Sequence, residues 1–105
     1  MELSMMERLM ILDLLPPEGS YVTLKVTRQT IDKVGFTDQE IKAWNIRQED
    51  NLVKWDTEKS HDTEIDIGEK AKELIAEQLK KMSEDKKLTQ QHFSLYEKFV
   101  GDSNG

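Results

Sequence analysis

The sequence predicts an α+β fold of winged-helix type: a helix-turn-helix, a small β-hairpin or sheet, and two additional C-terminal helices in one domain over residues 1–100. Three observations lead there. Residues 34–44 contain a helix stop and a helix start with almost no slack between them. The apolar period changes from helical to alternating at Asn45 and returns to helical after Asp66. The resulting order of helix, short strand, helix, tight turn, helix and hairpin is that of a winged helix, with two helices appended. A length of 105 residues suits one modest core and no more.

Ser4-Met-Met-Glu7 is a capping box, so the first helix starts near Met5 and ends by Leu15, because Pro16 disfavours helical geometry in the residue before it. Leu3, Met6, Met10 and Leu14 form one apolar stripe, widened by Met5, Leu9 and Leu12. Ser4, Glu7, Arg8 and Asp13 are left as its polar positions. Such a helix belongs at the centre of the core, or under a partner that its methionines could mould to. Pro16-Pro-Glu-Gly19 is turn chemistry, and Tyr21-Val22 reads as a short strand. Thr23 is then the expected cap of a second helix to Val34, with Leu24, Thr27, Ile31 and Val34 facing inward.

Gly35 is expected in the left-handed conformation that closes this helix. Thr37 and Glu40 form a capping box for the third helix, Asp38 to Trp44, with Phe36 and Ile41 as its apolar staple. Ile46-Arg-Gln-Glu49 and Leu52-Val-Lys-Trp55 flank Asp50-Asn51, two residues that tolerate the positive φ of a two-residue hairpin turn. After a polar loop, Thr63 to Ile65 is expected as a further strand of the same small sheet. Asp66 and Glu69 signal a helix whose Ile67, Ala71, Leu74, Ile75, Leu79 and Met82 share one face. A charged connector, Ser83 to Lys87, leads to a Thr89-capped last helix stapled by Leu88 and Phe93 and bearing Tyr96, Phe99 and Val100. Residues 101–105 read as a frayed, disordered tail.

Composition narrows the functional classes. A hydrophobic fraction of 36% beside a charged fraction of 34% implies solvated helices with narrow apolar stripes. The formal charge of −6 is shared evenly between residues 1–60 and 61–105, so no basic stripe of the kind phosphate-backbone binders use is visible. The absence of cysteine removes disulfides, thiolate nucleophiles and cysteine-ligated zinc, and fits a reducing cytoplasm. Glu7, Arg8 and Asp13 interrupt the apolar N-terminal run, which lacks a cleavage site and is not an export signal. No stretch approaches the ~20 apolar residues of a membrane span, so no membrane partner is expected.

Several segments taken together, Met6-Glu-Arg-Leu9, Leu15-Pro-Pro-Glu-Gly19, Thr23-Leu-Lys25, Phe36-Thr-Asp-Gln-Glu-Ile-Lys42, Ile65-Asp-Ile-Gly-Glu-Lys-Ala71, and Leu88-Thr89 with His92-Phe-Ser-Leu-Tyr-Glu-Lys-Phe99, resemble small uncharacterised proteins of bacteriophage and prophage genomes. The resemblance covers most of the chain and carries no motif of known chemistry. It implies a setting, the host cytoplasm, and not a mechanism.

The residues bear on four kinds of activity. For a protein-interaction surface the candidates are Trp44, Arg47 and Trp55 around the hairpin, and Phe93, Tyr96 and Phe99 on the last helix. That last helix equally suits exchange within a homodimer. For nucleic-acid recognition by the third helix and the wing they are Arg28, Lys33, Gln39, Lys42, Arg47 and Lys54. Against that reading stand Asp38 and Glu40 on the same short helix, and the lack of an arginine there to grip guanine. For catalysis or metal binding there is no candidate: His61 and His92 have no second histidine at ligand spacing, Asp56 to Asp62 lacks a calcium-loop pattern, and no phosphate loop or nucleophile elbow occurs. No cofactor is implied. Last, the acidic charge would suit a nucleic-acid mimic, although solubility accounts for it equally well. The sequence therefore favours a non-enzymatic, cytoplasmic interaction module, with a winged-helix DNA-binding regulator as the alternative.

Overall fold

A computed structural model of the chain describes residues 1–101, so the expected tail lies, from residue 102 onward, outside the described residues. The architecture is α+β. Among those residues are five α-helices, α1 (Met5–Leu14), α2 (Tyr21–Val34), α3 (Asp38–Ala43), α4 (Glu69–Glu84) and α5 (Phe93–Phe99), with a 3₁₀ turn at Gln90–His92 leading into α5. Four short strands, β1 (Glu2–Leu3), β2 (Arg47–Glu49), β3 (Leu52–Lys54) and β4 (Thr63–Glu64), make two separate antiparallel pairs.

The local signals act where they are written. Ser4 and Glu7 close their capping box at the start of α1, the Glu7 amide donating to Ser4 Oγ at 3.1 Å and the Ser4 amide to Glu7 Oε1 at 2.9 Å. Thr37 and Glu40 do the same for α3, at 3.1 and 2.9 Å. Asp50 and Asn51 take φ of 52° and 65°, and the hairpin pairs Arg47 with Lys54, Gln48 with Val53 and Glu49 with Leu52. Thr89 stands at the start of the 3₁₀ turn and not of α5, whose N-cap is His92. The box partner of Thr89 is the His92 ring, whose Nδ1 accepts the Thr89 amide at 3.1 Å.

Other expectations are corrected. Tyr21-Val22 is not a strand: Ser20, not Thr23, is the cap, its Oγ accepting the Thr23 amide at 3.1 Å, and α2 begins at Tyr21. Starting the helix there leaves Leu24 and Ile31 exposed (41% and 45%), and the buried side is Thr27, Thr30 and Val34. The Thr30 hydroxyl fits inside because it donates to the Val26 carbonyl one turn back, at 2.8 Å. Strand 63–64 does not extend the hairpin; it pairs with β1, Leu3 opposite Thr63. Asp66 caps nothing, since Gly68 is the N-cap of α4 and makes no side-chain bond.

Gly35 is not left-handed, at φ −62° and ψ 160°, yet glycine is still required: a Cβ there would sit 2.8 Å from the Ile31 carbonyl oxygen. Left-handed residues instead close the next helices, Asn45 after α3 and Lys86 after α4. Each ends its helix in a Schellman motif, the Ile46 amide donating to Ile41 O at 3.0 Å and the Lys87 amide to Met82 O at 2.8 Å.

The core forms around α4. Ala71, Ile75 and Leu79 recur every four residues on one face and, with Ile67, meet Leu3, Ile11, Val34 and Leu95 from the surrounding elements. Helices α1, α2 and α5 all contact α4, whereas β2 and β3 contact chiefly each other and project beside α3.

Candidate functional site

Two neighbouring residues of α1 position everything around it. Successive helix residues point about 100° apart, so Glu7 and Arg8 reach different neighbours. Arg8, 2% exposed, spans the α2–α3 joint: Nε donates to Val34 O at 3.0 Å, Nη2 to Gly35 O at 2.9 Å, and Nη1 and Nη2 to the two Glu40 carboxylate oxygens at 2.8 and 2.9 Å. Its guanidinium lies 4.3 Å from the centroid of the Phe36 ring. The staple residue Phe36 thus has a cation for a lid, while Ile41 stays 40% exposed. Glu40 consequently serves twice, as the far half of the Thr37 box and as the anion of a bidentate pair. The Arg8 hydrogen bonds hold its carboxyl below the usual carboxylate range.

Glu7 does the corresponding work on the other side. Its carboxylate accepts from Ser94 Oγ at 2.9 Å and Lys98 Nζ at 2.8 Å, and the same Nζ donates to Glu2 O at 2.8 Å, so β1, α1 and α5 are tied at one point. Burial pushes the Glu7 pKa up. The hydrogen bonds from Lys98, the Ser4 amide and Ser94, with the Lys98 charge, outweigh it and leave the group below its ordinary value. Both residues belong to the polar set of α1 in the sequence, where nothing marks them as buried.

With α1 and α2 held in this way, an open groove of about 750 Å³ lies between them. One wall is Leu12, Leu15, Pro16 and Pro17; the other is the outer face of α2, with Tyr21 (79% exposed), Leu24 and Ile31. Lys25, Arg28 and Asp32 line the α2 wall alongside these apolar side chains. Thr27 lines it as well, and its hydroxyl is buried without a partner in the chain. Sequence reasoning placed none of these apolar side chains at a site. The signal was present: Tyr21, Leu24, Arg28 and Ile31 sit at one-face spacing, but only once Tyr21 is taken as helical.

The residues singled out from the sequence do not come together. Trp44 is 5% exposed at the end of α3, its ring edge-on to His61 at 5.2 Å and its carbonyl accepting the Asp56 amide at 2.8 Å. Trp55 is half-buried beyond β3. Tyr96 and Phe99 are half-buried against the core, and of the three aromatic candidates on α5 only Phe93 stands in solvent, at 61%. Of the cations considered for nucleic acid, Arg47 donates to Glu49 at 2.7 Å and to Asn45 O at 3.0 Å, and Lys54 lies 3.5 Å from the same Glu49 carboxylate. The hydrogen bond from Arg47, with its charge and the Lys54 contact, holds the exposed Glu49 below its ordinary pKa. Gln39 and Lys42 are exposed on α3, Lys33 flanks the start of α4, and Arg28 lies in the groove. Among the described residues no three His, Cys, Asp or Glu side chains gather as a metal site, and no helix is long and apolar enough to cross a membrane.

Comparison of the chain with protein-family models, with curated proteins and with solved structures returns no match.

Proposed function

We propose that the chain is a non-enzymatic, cytoplasmic protein-interaction module of phage type, a winged-helix-like frame that presents the α1–α2 groove to a protein partner as adaptor, regulator or assembly component. The observation that carries this reading is the groove itself. Tyr21, Leu24 and Ile31 are apolar side chains on the outer side of a helix whose other side is already packed, and Leu12, Leu15, Pro16 and Pro17 give it a facing wall. Apolar side chains held on a rigid helix and rimmed by charge are the usual anatomy of a docking surface. Tyrosine at its mouth is a residue type enriched among binding hot spots.

A DNA-binding regulator on the same frame remains the second reading, favoured by the three-residue joint Gly35-Phe36-Thr37 between α2 and α3. Its electrostatics are poor. Both cations of the hairpin share Glu49, and α3 opens with Asp38 and Glu40.

The two readings separate in one experiment. A photo-cross-linking amino acid at Tyr21 should capture a protein in cells, and the adduct should disappear when Leu24 and Ile31 are both replaced by Asp. Purified protein should show no salt-sensitive retention of duplex DNA. Absence of any protein adduct, together with duplex binding that weakens steeply with salt, would replace the first reading by the second.

A further inference from the structure

We infer that the groove is the interface of a two-fold homodimer in which α2 packs antiparallel against α2 of a second copy. The inference rests on the groove being the interaction surface, and it names the occupant. Helical geometry sorts the outward residues of α2 into three lines: Leu24 and Ile31 on the flank beside α1, Tyr21 and Arg28 along the crest, and Lys25 and Asp32 on the far flank.

When two copies of one helix pair about a two-fold axis perpendicular to them, each flank meets its own equivalent and the residue order runs in reverse. On the near flank Leu24 then stands opposite the second copy's Ile31. On the far flank Lys25 stands opposite its Asp32. The two pairings centre on either side of Arg28, one between residues 27 and 28 and the other between residues 28 and 29. Two independent features, apolar spacing and charge order, thus agree on the register to within one residue, about 1.5 Å along the helix. A charge pattern that is basic towards the N-terminal end and acidic towards the C-terminal end is complementary to its own reverse, and each dimer makes the Lys25–Asp32 contact twice.

An acidic helix of another protein would meet Lys25 and Arg28 favourably but would set its charge against Asp32. The antiparallel copy leaves one unfavourable contact, Arg28 facing its equivalent across the axis, partly offset by Asp32 one helical turn further along the same chain. That contact is diagnostic, because removing the charge should tighten a homodimer and weaken an acidic heterologous complex.

The test is sedimentation equilibrium of the purified full chain from micromolar to millimolar concentration, with circular dichroism confirming the fold of each variant. The wild type should self-associate to a dimer and no further. Lys25→Asp and Asp32→Lys should each raise the dimer Kd about tenfold, and the double exchange should bring it back to within about threefold of wild type. Leu24→Asp should abolish the dimer, and Arg28→Leu should tighten it. A wild type that stays monomeric throughout would overturn the inference, as would a dimer whose Kd ignores both charge variants. If that monomer still gives a Tyr21 adduct with a different protein, the homodimer falls while the interaction-module reading stands. If no adduct of any kind forms, both fall.

Discussion

Arg8 is the residue on which the α1, α2 and α3 arrangement most depends, because one side chain serves four acceptor atoms that belong to two other helices and their joint. Two of those acceptors are carbonyls at the C-terminal end of α2, where a cation also meets the negative end of the helix dipole. Removing the guanidinium strands a carboxylate only 17% exposed and leaves two carbonyls without their donor. Arg8→Met should therefore cost about 3–5 kcal/mol, the range for breaking one side of a buried pair, measured by urea unfolding. Lysine should rescue little, since it lacks the fork.

The same bonds set the pH dependence. Glu7 and Glu40 both hold their protons less tightly folded than unfolded, so the unfolded chain binds more protons as acid is added. Their contribution is complete above the unfolded carboxyl pKa, about 4.3, and is lost as pH falls through the lower folded values. The urea midpoint should be level from pH ~7 to ~5 and then drop. Glu40→Gln should be less stable at neutral pH, and its acid limb should be shallower.

At the scale of elements, the caps of α1 and α3 and the face of α4 were legible, whereas the start and the face of α2 were not. The boxes at Ser4 and Thr37 and the turn at Asp50-Asn51 each close within three residues of sequence, so the letters contain the whole interaction. The end of α4 is a local feature that glycine and asparagine rules pass over, since Lys86 holds the left-handed position at φ 58°. A side chain with a Cβ is strained there. Lys86→Gly should stabilise the protein by about 0.5–1 kcal/mol, seen as a higher thermal midpoint with no change in helix content. On α2 one wrong boundary had a large effect. A strand at Tyr21-Val22 would turn Leu24 and Ile31 inward, whereas a helix from Tyr21 puts all three on its outer side.

For the molecule as a whole, the core is a helical cluster around α4, and the last helix joins it through Leu95, which is fully buried, more than through the aromatic residues beside it. Leu95→Ala should cost about 2–5 kcal/mol, whereas Phe93→Ala, at a position 61% exposed, should stay within about 0.5 kcal/mol of wild type in the same unfolding assay. Equal losses at the two positions would mean that Phe93 is covered in solution, which would return α5 to consideration as an interface.

The α+β class, the caps of α1 and α3, the hairpin register and the long face of α4 follow from interactions between residues no more than a few positions apart, and a linear reading recovers such interactions. The burial of Glu7 and Arg8, the partner of strand 63–64 and the outward turn of Tyr21, Leu24 and Ile31 were decided by tertiary packing. Arg8 reaches acceptors 26 to 32 residues away and Glu7 reaches donors 87 and 91 residues away. Nothing local distinguishes a charged side chain that will find such partners from one that will meet water, because desolvation is offset only once the distant groups are in place. The groove follows from the same cause: α1 and α2 are pinned by polar bonds at one end, and the apolar face of α2 that this geometry leaves uncovered is the surface open to a partner.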